Sequence, residues 1–420
     1  MLGFAAAAPW GVGYYTEQQW RGVEAGLNES QGLVQLQTRE YSRGYMSARV
    51  RGSVVVVVPE TGEQHSFDYQ AVVSHGVTGS LMDFSTWDAF GEDANRFFPD
   101  EKPRLTLETR IWGTARVEMT VPETEAINEA TGESISIARA HGRADIGSAG
   151  TEVVIDVDWP GMTLTGPDAR ISITDFHMDQ TMEHLVGDLW LGNAEITLAG
   201  LQFEAVGQPA MSLSKLSMIS DSHSSADASR MSGGITMQLE KVAANGADFG
   251  PHEIRFQFDD MDVASLDEVS SAVTEMQQAT LAAAGNPDPQ ALMEQQMQSF
   301  QRVSGAMLGL AAEGFSFGFP KIDLSTPEGP IRGEMMLRHP ELTDEEKSEA
   351  MMVMQGLTGN FDISMPAALV DGTPALAMQI APLIKQGMVV REGDRLRMIG
   401  TLEDMALNVN GQVLPLPPVF

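Results

Sequence analysis

The chain contains no cysteine. That excludes disulfides, cysteine-ligated zinc, iron–sulfur clusters and thiol catalysis. Basic residues are scarce, with 26 Lys and Arg against 58 Asp and Glu in 420 residues, a formal charge of −32. Neutralising phosphates takes a basic surface, so nucleic acid is not an expected partner. Net charge does not draw such a chain onto anionic headgroups either. No stretch reaches the roughly 20 apolar residues of a membrane helix. The Walker string, the dinucleotide fingerprint and the His-Glu-x-x-His motif are all missing, and no cofactor or metal is expected. What is present suffices for a sizeable core: 43% of residues are hydrophobic and 20% charged, which is not a disordered composition. The length allows two to four domains or one large β-rich unit.

The first ten residues read MLGFAAAAPW, apolar or small up to Pro9 and Trp10, with no Lys or Arg before Arg21. Residues 1–15 are read as the trailing part of an N-terminal anchor or signal segment whose start is missing, with Trp10 at the bilayer exit. After a break at Pro9–Gly13, Thr16 and Gln19 form a capping box for a short helix that places Trp20, Val23 and Leu27 on one face. The run from Tyr41 to Val58 is rich in β-branched residues. To about Val263 apolar residues then alternate with polar ones, as in Ile171/Ile173, Ile196/Leu198, Leu201/Phe203, Ile235/Met237/Leu239 and Ile254/Phe256/Phe258. Turns are expected at Gly207-Gln-Pro209, Gly233-Gly234 and Asn245-Gly246.

The β pattern stops at Ser265, where Ser265 and Glu268 form a capping box. Two helices follow, separated by Gly285-Asn-Pro, with Asp288 capping the second, and a third starts at Thr343 with Glu346 as capping partner. Strands return at 315–324 and 388–409, and Glu392-Gly-Asp394 and Asn410-Gly411 are hairpin turns. The expected fold is α+β and mainly antiparallel β: a long, curved, one-faced meander, trough or partial barrel, with an inserted Met-rich αα-hairpin and further short helices. The segments are 16–264 for the first helix and the meander, 265–313 for the helical hairpin and 314–420 for the closing strands and helices.

Three places in the sequence carry a family resemblance. Gly13-Tyr-Tyr-Thr-Glu-Gln-Gln-Trp20 lies just after the apolar start. Tyr41-Ser-Arg-Gly-Tyr-Met-Ser47 and the closing pair Gly387–Asp394 and Leu407–Leu416 follow in order. Together they resemble the YdgA-like family of Gram-negative envelope proteins, a bacterial domain of unknown function. The resemblance implies a periplasmic body anchored to the inner membrane, and a homodimer. It implies no catalytic residues.

Tyr41, Arg43, Gly44 and Tyr45 are read as a structural or partner motif. Gly44 would permit a bulge or a positive φ, and Arg43 would stack on Tyr41 or Tyr45 or pair with a carboxylate. Gly314-Phe-Ser-Phe-Gly318 matches a nucleophile-elbow string, but the elbow needs strand before Ser316 and helix after it, and here the order is reversed. Asp175, His177 and Asp179 share a strand face, where alternate residues stand about 7 Å apart and diverge from one ion. The run from Ser220 to Ser229, with Asp221, His223 and Asp227, reads as a mobile loop. Many of the 26 methionines are expected on the helices. Met276, Met293, Met297, Phe300, Met307, Met351 and Met354 form the candidate apolar contact surface, as core filler or as an adaptable grip on lipid tails. The resulting expectation is a non-catalytic envelope protein that binds an apolar ligand such as lipid, or an envelope partner. A scaffold acting as a homodimer is the alternative, and a hydrolase of unidentified site ranks third.

Overall fold

In the computed structural model the described residues are 2–29, 34–57, 64–84, 98, 100–128, 131–244, 246–283, 289–347 and 350–415. The chain divides into two compact units, Met1–His184 with Leu281–Gly285, and Leu185–Thr280 with Asn286–Phe420.

The first unit opens with helix α1 (Leu2–Glu29). Strands β1 (Val34–Arg43), β2 (Ser47–Val57), β3 (Gln64–His75), β4 (Gly79–Asp83), β5 (Arg104–Arg110) and β6 (Ala115–Val121) follow. The rest are β7 (Thr124–Asn128), β8 (Glu133–Ile137), β9 (Ala140–Ile146), β10 (Glu152–Thr165) and β11 (Ala169–Val186). Pairing is antiparallel throughout, in the order β1–β2–β3–β4–β5–β6–β9–β10–β11. The β7–β8 hairpin joins the far half of β10.

Helix α1 runs straight through Pro9, where the sequence pattern suggests a break. Its buried positions, Pro9, Val12, Gly13, Thr16 and Trp20, recur at helical spacing and hold the segment on the sheet. Tertiary packing thus overrides the missing amide hydrogen bond. Thr16 is not a cap, because its hydroxyl donates to the Val12 carbonyl (3.0 Å) and faces Ser80 at 2.7 Å. Under α1 lies the core of the unit: Trp20, Leu36, Ala48, Val50, Tyr69, Ala71, Val73, Met82 and Phe84. Trp20, Tyr69 and Phe84 meet with ring centroids 5.9–6.1 Å apart, inside the favourable range for aromatic pairs.

The second unit is again an antiparallel meander. Its first strands are β12 (Leu189–Ala205), β13 (Met211–Ser224), β14 (Arg230–Ala244), β15 (Ala247–Phe249) and β16 (His252–Asp262). Helices α2 (Val263–Ala283) and α3 (Pro289–Ala312) interrupt it before β17 (Phe315–Thr326) and β18 (Gly329–His339). Then come α4 (Asp344–Lys347), α5 (Ala350–Gln355), β19 (Thr358–Pro366), α6 (Ala367–Gly372) and α7 (Pro374–Lys385). Strands β20 (Val390–Glu392), β21 (Arg395–Glu403), β22 (Ala406–Val409) and β23 (Gln412–Pro415) close it. The ladder runs β12–β13–β14–β16–β17–β18–β19–β21–β22–β23.

Several local expectations are corrected here. Helix α2 starts at Val263, because Asp262 rather than Ser265 caps it: its Oδ1 accepts from the Ser265 amide (2.8 Å) and hydroxyl (2.7 Å). Gly233 and Gly234 are no turn but lie inside β14, where a Cβ on Gly233 would meet the Asp221 carbonyl oxygen at 2.4 Å. The first half of Ser220–Ser229 is strand. Only 225–229 turn, and there the Asp227 carboxylate accepts from the Ser225 and Ser229 hydroxyls, which hold it down to about 2. The Thr343–Glu346 capping pair is present at 2.8–2.9 Å. Asn410 and Gly411 both have positive φ and make the β22–β23 turn. The expected turn Gly285-Asn-Pro with Asp288, and Asn245, lie outside the described residues. Helices α6 and α7 were not anticipated. They cover Leu396, Met365 and Met398 with Val370, Leu376, Ile380 and Leu383.

Candidate apolar ligand face

Opposite residues of paired strands lie on one face of a sheet, so the register identifies what each face presents. In the second unit one continuous row crosses eight strands. Ile196 pairs with Met218, Met218 with Met237, Met237 with Ile254 and Ile254 with Ile322. Ile322 then pairs with Gly333, Gly333 with Ile363 and Ile363 with Met398. Seven inter-strand steps make this row about 34 Å wide. A second row beside it reads Leu198, Leu216, Leu239, His252, Leu324 and Ile331. Phe256 and Phe319 meet on the same surface at 5.4 Å.

No residue of the eight-strand row is buried, and Met237 is 42% exposed. The described residues of α3 and α5 pack toward one end of the strands. There His339 Nε2 lies 2.6 Å from the Val353 carbonyl oxygen, and Arg230 donates to that of Glu313 at 2.7 Å. Helices α6 and α7 cover the β19–β21 end.

The reverse face is charged and internally neutralised. Lys215 pairs with Glu240 (2.7 Å), Glu253 with Arg255 (2.6 Å) and Lys321 (2.7 Å), and Arg332 with Asp323 (3.7 Å). Arg397 joins Asp362 and Glu392. The hydrogen bond from Lys321, the largest influence, holds the Glu253 carboxyl below the ordinary carboxylate range; desolvation opposes it, and Arg255 adds to the lowering. Arg397 does the same for Asp362. Two clefts of about 460 and 730 Å³ open on this face, lined mainly by these charged residues. The sheet thus has one apolar and one charged, solvated face.

The first unit carries the same pattern in a different state. Its row reads Ala48, Val73, Met82, Leu107, Val117, Ala144 and Ile155. The first three residues lie under α1 and are buried, while the last four are half-buried. A smaller apolar cleft of about 390 Å³ is lined by Ala126, Ile127, Ile135, Leu164 and Ile171.

The residues singled out in the sequence fall into three groups. Arg43 stacks on Trp10 (5.4 Å) and Tyr14 (5.3 Å) of α1 rather than on Tyr41 or Tyr45, and it pairs with Glu17 at 3.6 Å. The two N-terminal motifs therefore meet in space. Gly44 has no positive φ; its amide closes the β1–β2 turn on the Ser47 carbonyl (2.7 Å), and the register shift lies instead between Thr38 and Glu40. Tyr41 is half-buried, and burial, reinforced by Glu17, pushes its phenol up to about 12. Tyr45 is exposed.

On the helices, Met276 is half-buried, whereas Met297, Phe300 and Met307 share an exposed face of α3. The side chains of Met293, Met351 and Met354 lie outside the described residues. The third group is the set tested for chemistry. Ser316 sits within β17 opposite Asp259 and Arg338. His177 pairs with Asp158 at 3.0 Å, and Asp175 has a φ of 47°. Among the described residues no three His, Asp or Glu side chains are grouped to hold a metal. The eight-strand row itself was not recognised in the sequence. Each strand shows only its own alternation, and the registers that align them are set by turns tens of residues apart.

These features define a mainly antiparallel β protein with helix-covered apolar cores under α1 and under α6 and α7, and an apolar sheet face that is open between its helix-covered ends. Residues 1–417 match the model of a bacterial protein family of unknown function (DUF945), and the chain belongs to that family. No curated protein and no solved structure is significantly similar to it.

Proposed function

We propose that this protein is a non-catalytic envelope protein of the YdgA-like kind, with its body in the periplasm and held at the inner membrane. Its open sheet face would bind an extended apolar ligand, the acyl chains of a lipid. The observation that carries this reading is the eight-strand row Ile196–Met398, apolar throughout and buried nowhere. Covering the remaining exposed area of one such side chain contributes on the order of 1 kcal/mol. The seven side chains in line (Gly333 has none) would thus approach the roughly 8 kcal/mol of a micromolar complex before ordering costs are subtracted. Methionine at three of the eight positions suits chains of variable length and unsaturation.

Native mass spectrometry of gently purified protein, with organic extraction, tests this. Phospholipid adducts at defined stoichiometry, lost in a Met237→Glu/Ile254→Glu variant, are expected. A clean monomer mass without adducts would sink the stable-cargo reading. A clean dimer, dissociated by the same two substitutions, would mean that a second copy covers the face.

A further inference from the structure

The three hairpin turns at one end of β1–β6 share an unusual composition. They are Gly44-Tyr-Met46 between β1 and β2, Gly76-Val-Thr78 between β3 and β4, and Ile111-Trp-Gly-Thr114 between β5 and β6. Antiparallel succession places all three at the same end of the sheet, and backbone bonds tie them side by side. The His75 amide donates to the Met46 carbonyl (2.8 Å) and the Ile111 amide to that of Thr78 (3.0 Å). Their tips carry Tyr45, Met46, Val77, Ile111 and Trp112, all exposed, with Met46 at 61% and Trp112 at 57%.

Helix α1 runs antiparallel to β1, with Asn28 bonded to Leu36 and Glu17 beside Arg43. Trp10 and Tyr14, both exposed, therefore reach this same end. Arg43 lies against both rings and Arg110 against Trp112. In a chain of charge −32 the three turns contain no Asp or Glu. Of the carboxylates beside this edge, Glu17 is paired with Arg43, Glu108 with Arg110 and Asp145 with Arg116.

We propose that this turn edge docks on the surface of a lipid bilayer. Trp and Tyr rings are stable at the headgroup level, where one end of the ring is wet and the other apolar. Met, Val and Ile at the tips would reach the acyl boundary, while the arginines lie beside the rings at phosphate depth. The sequence of α1 before Pro9, Leu-Gly-Phe and four alanines, enters from the same edge. Protruding tips that are apolar, acid-free and backed by arginine suit a soft lipid surface better than a fitted protein pocket. The inference rests on the reading that the protein works at a membrane, and it does not require the open sheet face to hold lipid.

The test is flotation of the full chain with phosphatidylcholine vesicles containing a minor share of phosphatidylglycerol. The wild type should float. A Tyr45→Ser/Met46→Ser/Trp112→Ser variant, changed only at exposed tips and checked for an unaltered melting curve, should lose binding by about tenfold or more. Val34→Ser and Ile127→Ser, exposed side chains of the same unit toward the opposite end of its strands, should float like the wild type. The Met237→Glu/Ile254→Glu variant should also float, so failure of the sheet-face reading and failure of this one give different results. A wild type that stays at the bottom of the gradient, or a triple variant that still floats, overturns the proposal.

Discussion

The strands under α1 and the strands β12–β21 are written in the same alphabet, one apolar face and one polar face, yet they end in different states. In the first, Val50, Ala71, Val73 and Met82 reach 0% exposure. In the second, eight cross-strand partners in a row are all left at least partly open. The difference is the cover and not the strand. Helix α1 supplies Trp20 to the aromatic triad and is itself keyed in place by polar contacts. Trp20 Nε1 donates to the Thr38 hydroxyl (2.9 Å), Glu24 accepts from the Thr38 amide (2.5 Å), and Ser80 links Thr16 to His75. Apart from its β19–β21 end, which α6 and α7 cover, the open face has no such key, so its apolar residues contribute cross-strand contacts but little burial.

The sharpest way to break this comparison is truncation on both sides of it. Trp20→Ala should destabilise the fold by about 3–5 kcal/mol and Met82→Ala by about 2–5 kcal/mol, since each leaves a cavity in a closed core. Ile254→Ala and Met237→Ala on the open row should cost less than about 1 kcal/mol, because water already reaches them. Urea denaturation followed by tryptophan fluorescence separates the two. Equal losses would mean that the open row is covered in solution.

A second contrast lies within α1 itself. A Cβ on Gly13 would stand 2.9 Å from the His75 ring, whereas one on Gly22 or Gly26 would meet nothing within 4 Å among the described residues. Gly13→Ala should therefore destabilise by about 1–3 kcal/mol through overpacking. Gly22→Ala and Gly26→Ala should stabilise by about 0.5–1 kcal/mol through helix propensity and a stiffer unfolded chain. Thermal melts of the three variants give the signs directly. If all three moved the same way, α1 would not be seated on the sheet as described.

The same seat makes a pH prediction. His75 is buried, its Nδ1 is 2.8 Å from Ser80, and its Nε2 has no hydrogen-bond partner among the described residues. Burial first, and Arg43 second, lower its pKa from 6.5. A native value below the unfolded one means the unfolded chain binds the proton more readily between the two. The contribution of His75 is thus complete above about pH 6.5 and is lost as pH falls toward the lowered native value. The carboxylates held down by arginine or lysine, such as Asp362 and Glu253, act only at lower pH, through the carboxylate range. Urea midpoints between pH 5 and 7 should slope in the wild type and flatten in His75→Gln. An unchanged slope would assign the effect elsewhere.

How much of this could be read in the sequence follows from the range of each signal. Alternation at Ile235/Met237/Leu239 or Ile254/Phe256/Phe258 is local, and those strands are where the pattern puts them. The Thr343–Glu346 box is local too. Gly233-Gly234 looked like a turn because a glycine pair is ambiguous. Only the close approach of the Asp221 carbonyl explains why glycine stands inside a strand. Pro9 looked like a stop because the spacing of Val12, Thr16 and Trp20 has meaning only once β1, β3 and β4 lie beneath them. The stacking of Arg43 on Trp10 and Tyr14, and the alignment of Met218, Met237, Ile254 and Ile322, depend on register and on contacts remote in sequence. No window along the chain contains them.

The smallest expected effect concerns the charged back of the open sheet. Lys215–Glu240, Arg332–Asp323 and Arg397–Asp362 are partly exposed pairs, and such pairs contribute little once screening and side-chain ordering are counted. Lys215→Gln/Glu240→Gln, which removes both charges together, should leave the urea midpoint unchanged within error at low and at high salt. Their effect is then to keep one face wet, which under the proposed function would leave an amphipathic ligand a single apolar side. Replacing the pair by Leu at both positions should again leave stability nearly unchanged but blur that choice, read as aggregation or as additional lipid adducts. A large loss of stability in the Gln pair would instead make the back of the sheet a structural element. The open apolar row would then no longer be the feature that distinguishes the second unit from the first.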